Sequence, residues 1–404
     1  GNIELLNGSN LTVDTGAAGG NITIGEIAGH SVETVTLDAG TGTTSVGVIG
    51  TGTEIGALSI GSSDNGGITL NGAITTDGIV DLDGPITLAT GAITITTSDN
   101  AINLEGTVDG GQALTLSSGT AKVTANGAIG SGTALTSLTV NSAGSGIIEI
   151  TDIGTSSAAG VTGATAIGNT STTTLTLDGT VYTTTGQQTY TAKSGQNIDI
   201  TNTAGTTFTT TNTAVAFNTA GVDLANSATT TVDTGTGAGA VTFQGAIETN
   251  GSDDDVLTIT SGTGAVTFSG AIGVTEELGG LNVNASSGSG VITFSSTIGD
   301  TSGGAGVIGT TAIGNAETSD LNFNATSYSF DGETTITAAS GDTIDMGALA
   351  ATSFTTAGDN ITFATGNIEL LNGSNLTVDT GAAGGNITIG EIAGHSVETV
   401  TLDA

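Results

Sequence analysis

The sequence predicts an all-β fold, a parallel β-solenoid of about 25 residues and three short strands per coil. Three observations lead there: short runs in which apolar and polar residues alternate, a weak self-similarity at about 25 residues, and a composition with 68 Gly but one Pro in 404 residues. The runs read Ile-Thr-Ile, Leu-Thr-Leu, Val-Thr-Phe and Ile-Asp-Ile, a period of two that places every second side chain on one face of a strand. Hydrophobic peaks at Leu177, Tyr190, Ile198, Phe208, Phe217, Leu224, Val232 and Val241 are mostly 7 to 10 residues apart. Gly, Asn, Ser or Thr bounds each peak, so the strands are short and the turns tight.

The coil length comes from the aromatic residues. Phe217, Phe243, Phe268 and Phe294 recur at intervals of about 25 residues, the length of three such strands. Coils stacked one on the next would turn this recurrence into an interior ladder. Antiparallel sandwiches also have strands every 8 to 12 residues, but their period is nearer 100 and they carry a few large buried aromatics rather than a series. A coil that turns about three times needs Gly and Asn for positive φ and excludes proline from its ladders, which places Pro85, after Asp83-Gly84, at a corner.

Longer repeats organise the chain. Residues 1–39 are identical to residues 366–404, a displacement of 365, and the identity extends to exposed Asn, Thr and Ser that packing alone does not restrict. Within that unit, ALTLSSGTAKVTANGAIG from Ala113 aligns with VLTITSGTGAVTFSGAIG from Val256 at an offset of 143 that drifts to 146. A third, shorter copy begins at Val35. The expected organisation is residues 1–34 as the end of a module identical to 366–399, a short module 35–113, long modules 114–256 and 257–399, and 400–404 opening the next unit, in one continuous solenoid.

Charge and composition narrow the function. With 38 Asp and Glu against two Lys and no Arg, the net charge of −36 leaves no basic surface for nucleic acid. No cysteine is present, so disulfides and thiolate metal sites are excluded. No run of 18 apolar residues occurs, so no membrane insertion is expected, and the start Gly1-Asn2-Ile3-Glu4 does not read as a signal peptide. His30 and its copy His395 are the only histidines and read as solvated turn residues, around which no triad can be built. Paired carboxylates are plentiful, but there is no Arg and almost no aromatic platform to hold a sugar, so no enzyme activity is expected.

Calcium is the one ion with candidate ligands: Asp77, Asp81 and Asp83 in DGIVDLDG, and Asp253, Asp254 and Asp255 in NGSDDDV. Neither segment fits the EF-hand or the nonapeptide β-roll pattern, no Asp pattern is seen in register with the coil, and the acids read as solvated corners, so no cofactor is expected. Threonine pairs such as Thr34 with Thr36 and Thr258 with Thr260 flank an inward residue and belong on an outer face, where an ice-binding role is the alternative to plain solvation. Asn-x-Ser/Thr sequons stand at Asn7, Asn10, Asn21, Asn169, Asn284, Asn324 and Asn360.

The motifs GAVTFSGAIG, LTLSSGTAKVTANGAIG and ITLNGAITTDG, spread along essentially the whole chain, resemble the β-strand-repeat proteins of bacterial surfaces. They are similar to distant relatives of filamentous-haemagglutinin-type adhesins, whose shafts are right-handed parallel β-helices. The resemblance implies secretion to a bacterial surface or matrix, with the repeats as a rod. The expected function is a structural one, an extracellular fibre, matrix filament or adhesin stalk of tandem 365-residue units whose partner is a further copy of itself, end to end or in the same chain. The alternative is an adhesin that binds glycans, calcium or ice through its acidic, Thr-rich faces.

Overall fold

The computed structural model describes residues 2–61, 66–141, 143–225, 227–251, 254–300, 304–348, 351–371, 373–395 and 397–404. Among them there is no helix. The chain is a β-solenoid of about 16 turns, with parallel strands stacking about 24 residues apart. It divides into two compact units, Gly1–Gln196 and Asn197–Ala404.

In the first unit the interior is mainly aliphatic, with Tyr182 and Tyr190 also buried. One ladder runs Val13, Leu37, Ile60, Leu82, Leu104, Ala125, Ile150, Leu177, each residue the register partner of the next. Another runs Ile27, Ile49, Ile74, Ile95, Leu116, Val140, Ile167 and reaches Tyr190. The intervening residues point outward, so Asp81 sits between Ser59 and Asn103 and Glu149 between Thr124 and Thr176. The single ion pair found among the described residues, Lys122 Nζ to Glu149 at 2.5 Å, lies on this outer surface. Pro85 is exposed and lies outside the strands, between Val80–Leu82 and Ile86–Leu88; its carbonyl accepts from Ile68 N at 2.7 Å, and no N–H is needed from it.

The second unit has the same three-sided coil with aromatic residues inside. Phe217, Phe243, Phe268 and Phe294 are register partners in that order, and the series continues through Phe323, Met346 and Leu370. The first four rings lie 4.8, 5.6 and 4.8 Å apart, within 9° of parallel, and Phe323 follows at 5.3 Å. All are at most 1% exposed. The ring spacing is close to the separation of adjacent strands, so the backbone sets the stacking distance. A second face stacks Ile198, Val222, Ile247, Ile272, Ile298, Tyr328, Phe354, Val378 and Leu402. The third stacks Phe208, Val232, Ile259, Val283, Ile313, Ile336, Phe363 and Ile389.

The corners explain the glycines. Gly130 and Gly273, at matching positions of the two long modules, have φ of 71° and 62°, and a Cβ on either would lie 2.0 Å from the carbonyl oxygen of Gly160 or Gly306 on the neighbouring coil. Left-handed backbone and the neighbour's approach both demand glycine there.

Truncating a ring in the middle of the Phe ladder removes packing on both sides. Phe268→Ala is expected to lower unfolding stability by about 3–5 kcal/mol, and Thr260→Ala, on the outer face, by under about 0.5 kcal/mol, read from denaturant midpoints.

Candidate functional site

The calcium candidates do not converge. Asp77 is exposed, and its carbonyl accepts from Asn100 Nδ2 at 2.7 Å. Asp81 is half-buried on its strand; burial raises its carboxyl above the usual range, as do the negative Glu105 and Asp83, while a hydrogen bond from Asn103 lowers it. Asp254 is exposed and engaged by Ser227, whose N and Oγ donate at 3.1 and 2.7 Å. Asp255 points inward and is fully buried; its Oδ1 accepts from Ala228 N at 3.3 Å, its Oδ2 has no hydrogen-bond partner, and burial pushes the carboxyl up to about 6. Asp253 lies outside the described residues. Asp254 and Asp255 precede the strand Val256–Thr260 and differ in burial, one exposed and one buried, so adjacency in sequence does not make a ligand set. Among the described residues no group of three or more His, Asp or Glu is placed to hold a metal ion.

A coil-register pattern of acids exists nonetheless, contrary to the sequence expectation. Asp199, Asp223 and Glu248 are successive register partners on one outer face of the second unit. Burial raises the Asp199 carboxyl to about 6, with Asp223 adding repulsion, and burial raises Asp223 in turn. Asn197 Nδ2 donates to Asp223 at 2.6 Å and relieves part of this. The signal was available as Ile-Asp-Ile, Val-Asp-Leu and Ile-Glu-Thr, with the acids one coil apart. Asp14 over Asp38 and Asp379 over Asp403 repeat the motif, but Asp14, Asp38 and Asp379 each turn to a glycine amide two residues on, at 2.7, 2.9 and 2.7 Å.

His30 is more than a solvated turn residue. It is exposed, yet its Nδ1 lies 2.9 Å from the carbonyl oxygen of Leu5 on the preceding coil. Beside it, the buried Glu33 accepts from the amides of His30 at 2.6 Å, Gly8 at 2.9 Å and Val32 at 3.3 Å. Burial opposes ionisation of Glu33, but these amides outweigh it and hold the carboxyl below its ordinary range. The copy repeats these bonds: Glu398 takes the amides of Gly373, His395 and Val397, and His395 Nδ1 lies 3.1 Å from Leu370 O. The Gly373 amide is the largest influence on Glu398, which falls to about 2. The arrangement ties one coil to the next through a carboxylate; it activates no nucleophile.

Sequence reading also missed the buried polar corners. Asn141, with φ of 45°, accepts from Ser118 N at 2.8 Å and donates to Ser118 Oγ at 3.0 Å. Asn284 and Ser261, their counterparts in the next module, make the same two bonds at 2.8 and 3.0 Å. Asn284 is therefore buried with its amide engaged, so that sequon does not present a glycan acceptor. Threonine, placed on the outer face by Thr34, Thr36, Thr258 and Thr260, does point out there, but Thr76, Thr184, Thr234 and Thr356 point in and donate to a corner carbonyl at 2.5 to 2.6 Å. A surface cleft of about 410 Å³ lies in the second unit among Asp233, Thr236, Thr260, Thr263, Ser289 and Glu317. It is acidic and hydroxyl-rich, without an aromatic wall.

No family model matches the chain, and no curated protein and no solved structure is found to be similar to it. No helix among the described residues is long and apolar enough to cross a membrane.

Two sets of carboxyls with opposite shifts set the pH dependence. For Asp199 and Asp255, raised to about 6, the folded state holds protons that the unfolded chain releases near pH 4, so stability is greatest below that and falls as pH rises through 6. For Glu398, lowered to about 2, stability is present above about pH 4 and lost as pH falls toward 2. The melting temperature is expected to peak near pH 4; Asp199→Asn should flatten its decline between about pH 4 and 6, and Glu398→Gln its decline below about pH 4. Because backbone ladders and apolar stacking hold the coils, a calcium chelator is expected to leave the β-sheet circular dichroism unchanged, and its collapse would show that the acids carry an ion.

Proposed function

We propose that the chain is a stretch of an extracellular fibre, matrix filament or adhesin stalk built from tandem 365-residue β-solenoid units. One observation carries this reading: the duplicated segment adopts the same register at both places. Leu11 to Asp14 pair with Val35 to Asp38, and in the copy Leu376 to Asp379 pair with Val400 to Asp403. The carboxylate clasps of Glu33 and Glu398 match as well. A unit can therefore follow a unit with no change of coil.

In such a rod the mechanism is mechanical. Parallel hydrogen bonds along the axis and stacked Ile, Leu, Val and Phe resist extension and bending. The charge of −36 with only two lysines keeps neighbouring rods apart. Location at a bacterial surface or in its matrix, and self-association as the main partnership, belong to the same proposal. The acidic cleft beside Asp233 and Glu317 favours a second reading, glycan contact along the shaft, in which its hydroxyl and carboxylate groups bond sugar hydroxyls.

Coils about 4.8 Å apart and about 15 coils per unit give an axial repeat on the order of 70 Å. Diffraction or microscopy of the native filament is expected to show that repeat with strands across the axis. A repeat of about 150 Å or more, twice what stacked strands span, would reject the rod and leave a flexible tether.

A further inference from the structure

The surface cleft of the second unit crosses four consecutive coils. Asp233 lies on the first, beside its register partner Thr260 on the second. The turn at 287–289 is tied to that second coil by Ser289 N, which donates to Gly262 O at 2.6 Å, and Asn315 Nδ2 of the fourth coil donates to Gly288 O at 2.9 Å. Asp233 and Glu317 therefore stand three coil steps apart, about 14 Å along the axis. Each is held by local backbone: Asp233 Oδ1 accepts from Gly235 N at 2.8 Å, and Glu317 N donates to Asn315 Oδ1 at 2.7 Å. Thr236, Thr263 and Ser287 are exposed in the same cleft, and no lysine, histidine or aromatic residue lines it.

In the first unit the corresponding corner keeps the frame and lacks both acids. Thr96 pairs with Ser117 as Asp233 pairs with Thr260. Asn169 builds the turn that Asn315 builds: Asn169 N donates to Thr172 Oγ1 at 3.0 Å and Ser171 N to Asn169 Oδ1 at 2.7 Å, where Asn315 N donates to Thr318 Oγ1 at 2.9 Å and Glu317 N to Asn315 Oδ1. Thr96 and Ser171 thus occupy the places of Asp233 and Glu317. The acid of that corner, Asp99, turns its Oδ1 to Thr120 N at 2.8 Å. Coil and turn form without the two carboxylates, so the fold does not require them.

We infer that the cleft binds a linear amino-sugar chain, with ammonium groups of the sugar on Asp233 and Glu317 and its hydroxyls on Thr236, Thr263 and Ser287. The inference rests on the reading of this cleft as a glycan contact and names the class of sugar. With no aromatic ring to cover an apolar sugar face, the cleft offers polar bonds alone, and those between ionised groups are the strong ones. The protein supplies no cation to the cleft, so the ligand brings it.

Titration calorimetry at low salt, with the sugar amines charged, tests this with a glucosamine tetramer, its N-acetylated counterpart and spermine. The glucosamine tetramer is expected to bind about tenfold tighter than either of the others, and more weakly as salt rises. Asp233→Thr together with Glu317→Ser, the residues that the first unit carries at these places, should weaken it about tenfold while the β-sheet circular dichroism is kept. Equal binding of the two tetramers would overturn the inference and leave glycan contact standing. Spermine binding as tightly as the glucosamine tetramer would overturn it in favour of a bare polyamine site. Binding untouched by the double substitution would place the sugar elsewhere on the acidic surface and also overturn it. If neither tetramer binds, the inference and the glycan reading fail together.

Discussion

Parallel stacking in register is the constraint on which the rest of this structure depends. Each residue sits directly over a counterpart one coil earlier, yet the step between counterparts varies, being short from Ile102 to Val123 and long from Ile298 to Tyr328. Extra residues are taken up in turns, and the ladder resumes. The constraint makes like meet like along the axis. Where the counterpart is apolar this is favourable, as in the Phe series, in which the strand spacing brings large rings into contact.

The same rule turns against charge. An acid that recurs at the coil period is carried next to its own kind, as Asp199 is beside Asp223; burial raises both carboxyls, and the neighbouring Asp223 raises Asp199 further. Backbone amides offer the remedy. Glu33 and Glu398 each collect backbone amides, across the turn and from the previous coil, and these hold both carboxyls below their ordinary range. An acidic solenoid with two lysines thus relies on N–H groups for the work that cations do elsewhere.

Corners are the other place where stacking is costly, since the chain must turn while its polar groups stay satisfied. Three devices recur: inward threonines that donate to a turn carbonyl, glycines pressed against the next coil, and the Asn–Ser pairs of Asn141 with Ser118 and Asn284 with Ser261. The two pairs lie one module apart, so the module repeat reproduces corners as faithfully as it reproduces core residues. Tyr182 follows the same logic, with its hydroxyl accepting from Gly179 N and donating to Ile150 O, both at 2.9 Å.

Fold class, coil length, the aromatic series and the duplication were legible in the amino-acid sequence, because each follows from periodicity: alternation fixes which residues face inward, and recurrence at a constant interval fixes which residues share a ladder. Phe217, Phe243, Phe268 and Phe294 could be named for that reason. Which acids, hydroxyls and amides meet was not legible. Asp254 and Asp255 are adjacent in sequence, one exposed and one buried, whereas Glu33 meets Gly8 and His30 meets Leu5, each across 25 residues. Those contacts depend on corner geometry and on the exact step from coil to coil, which varies along the chain and is set only when every ladder closes at once.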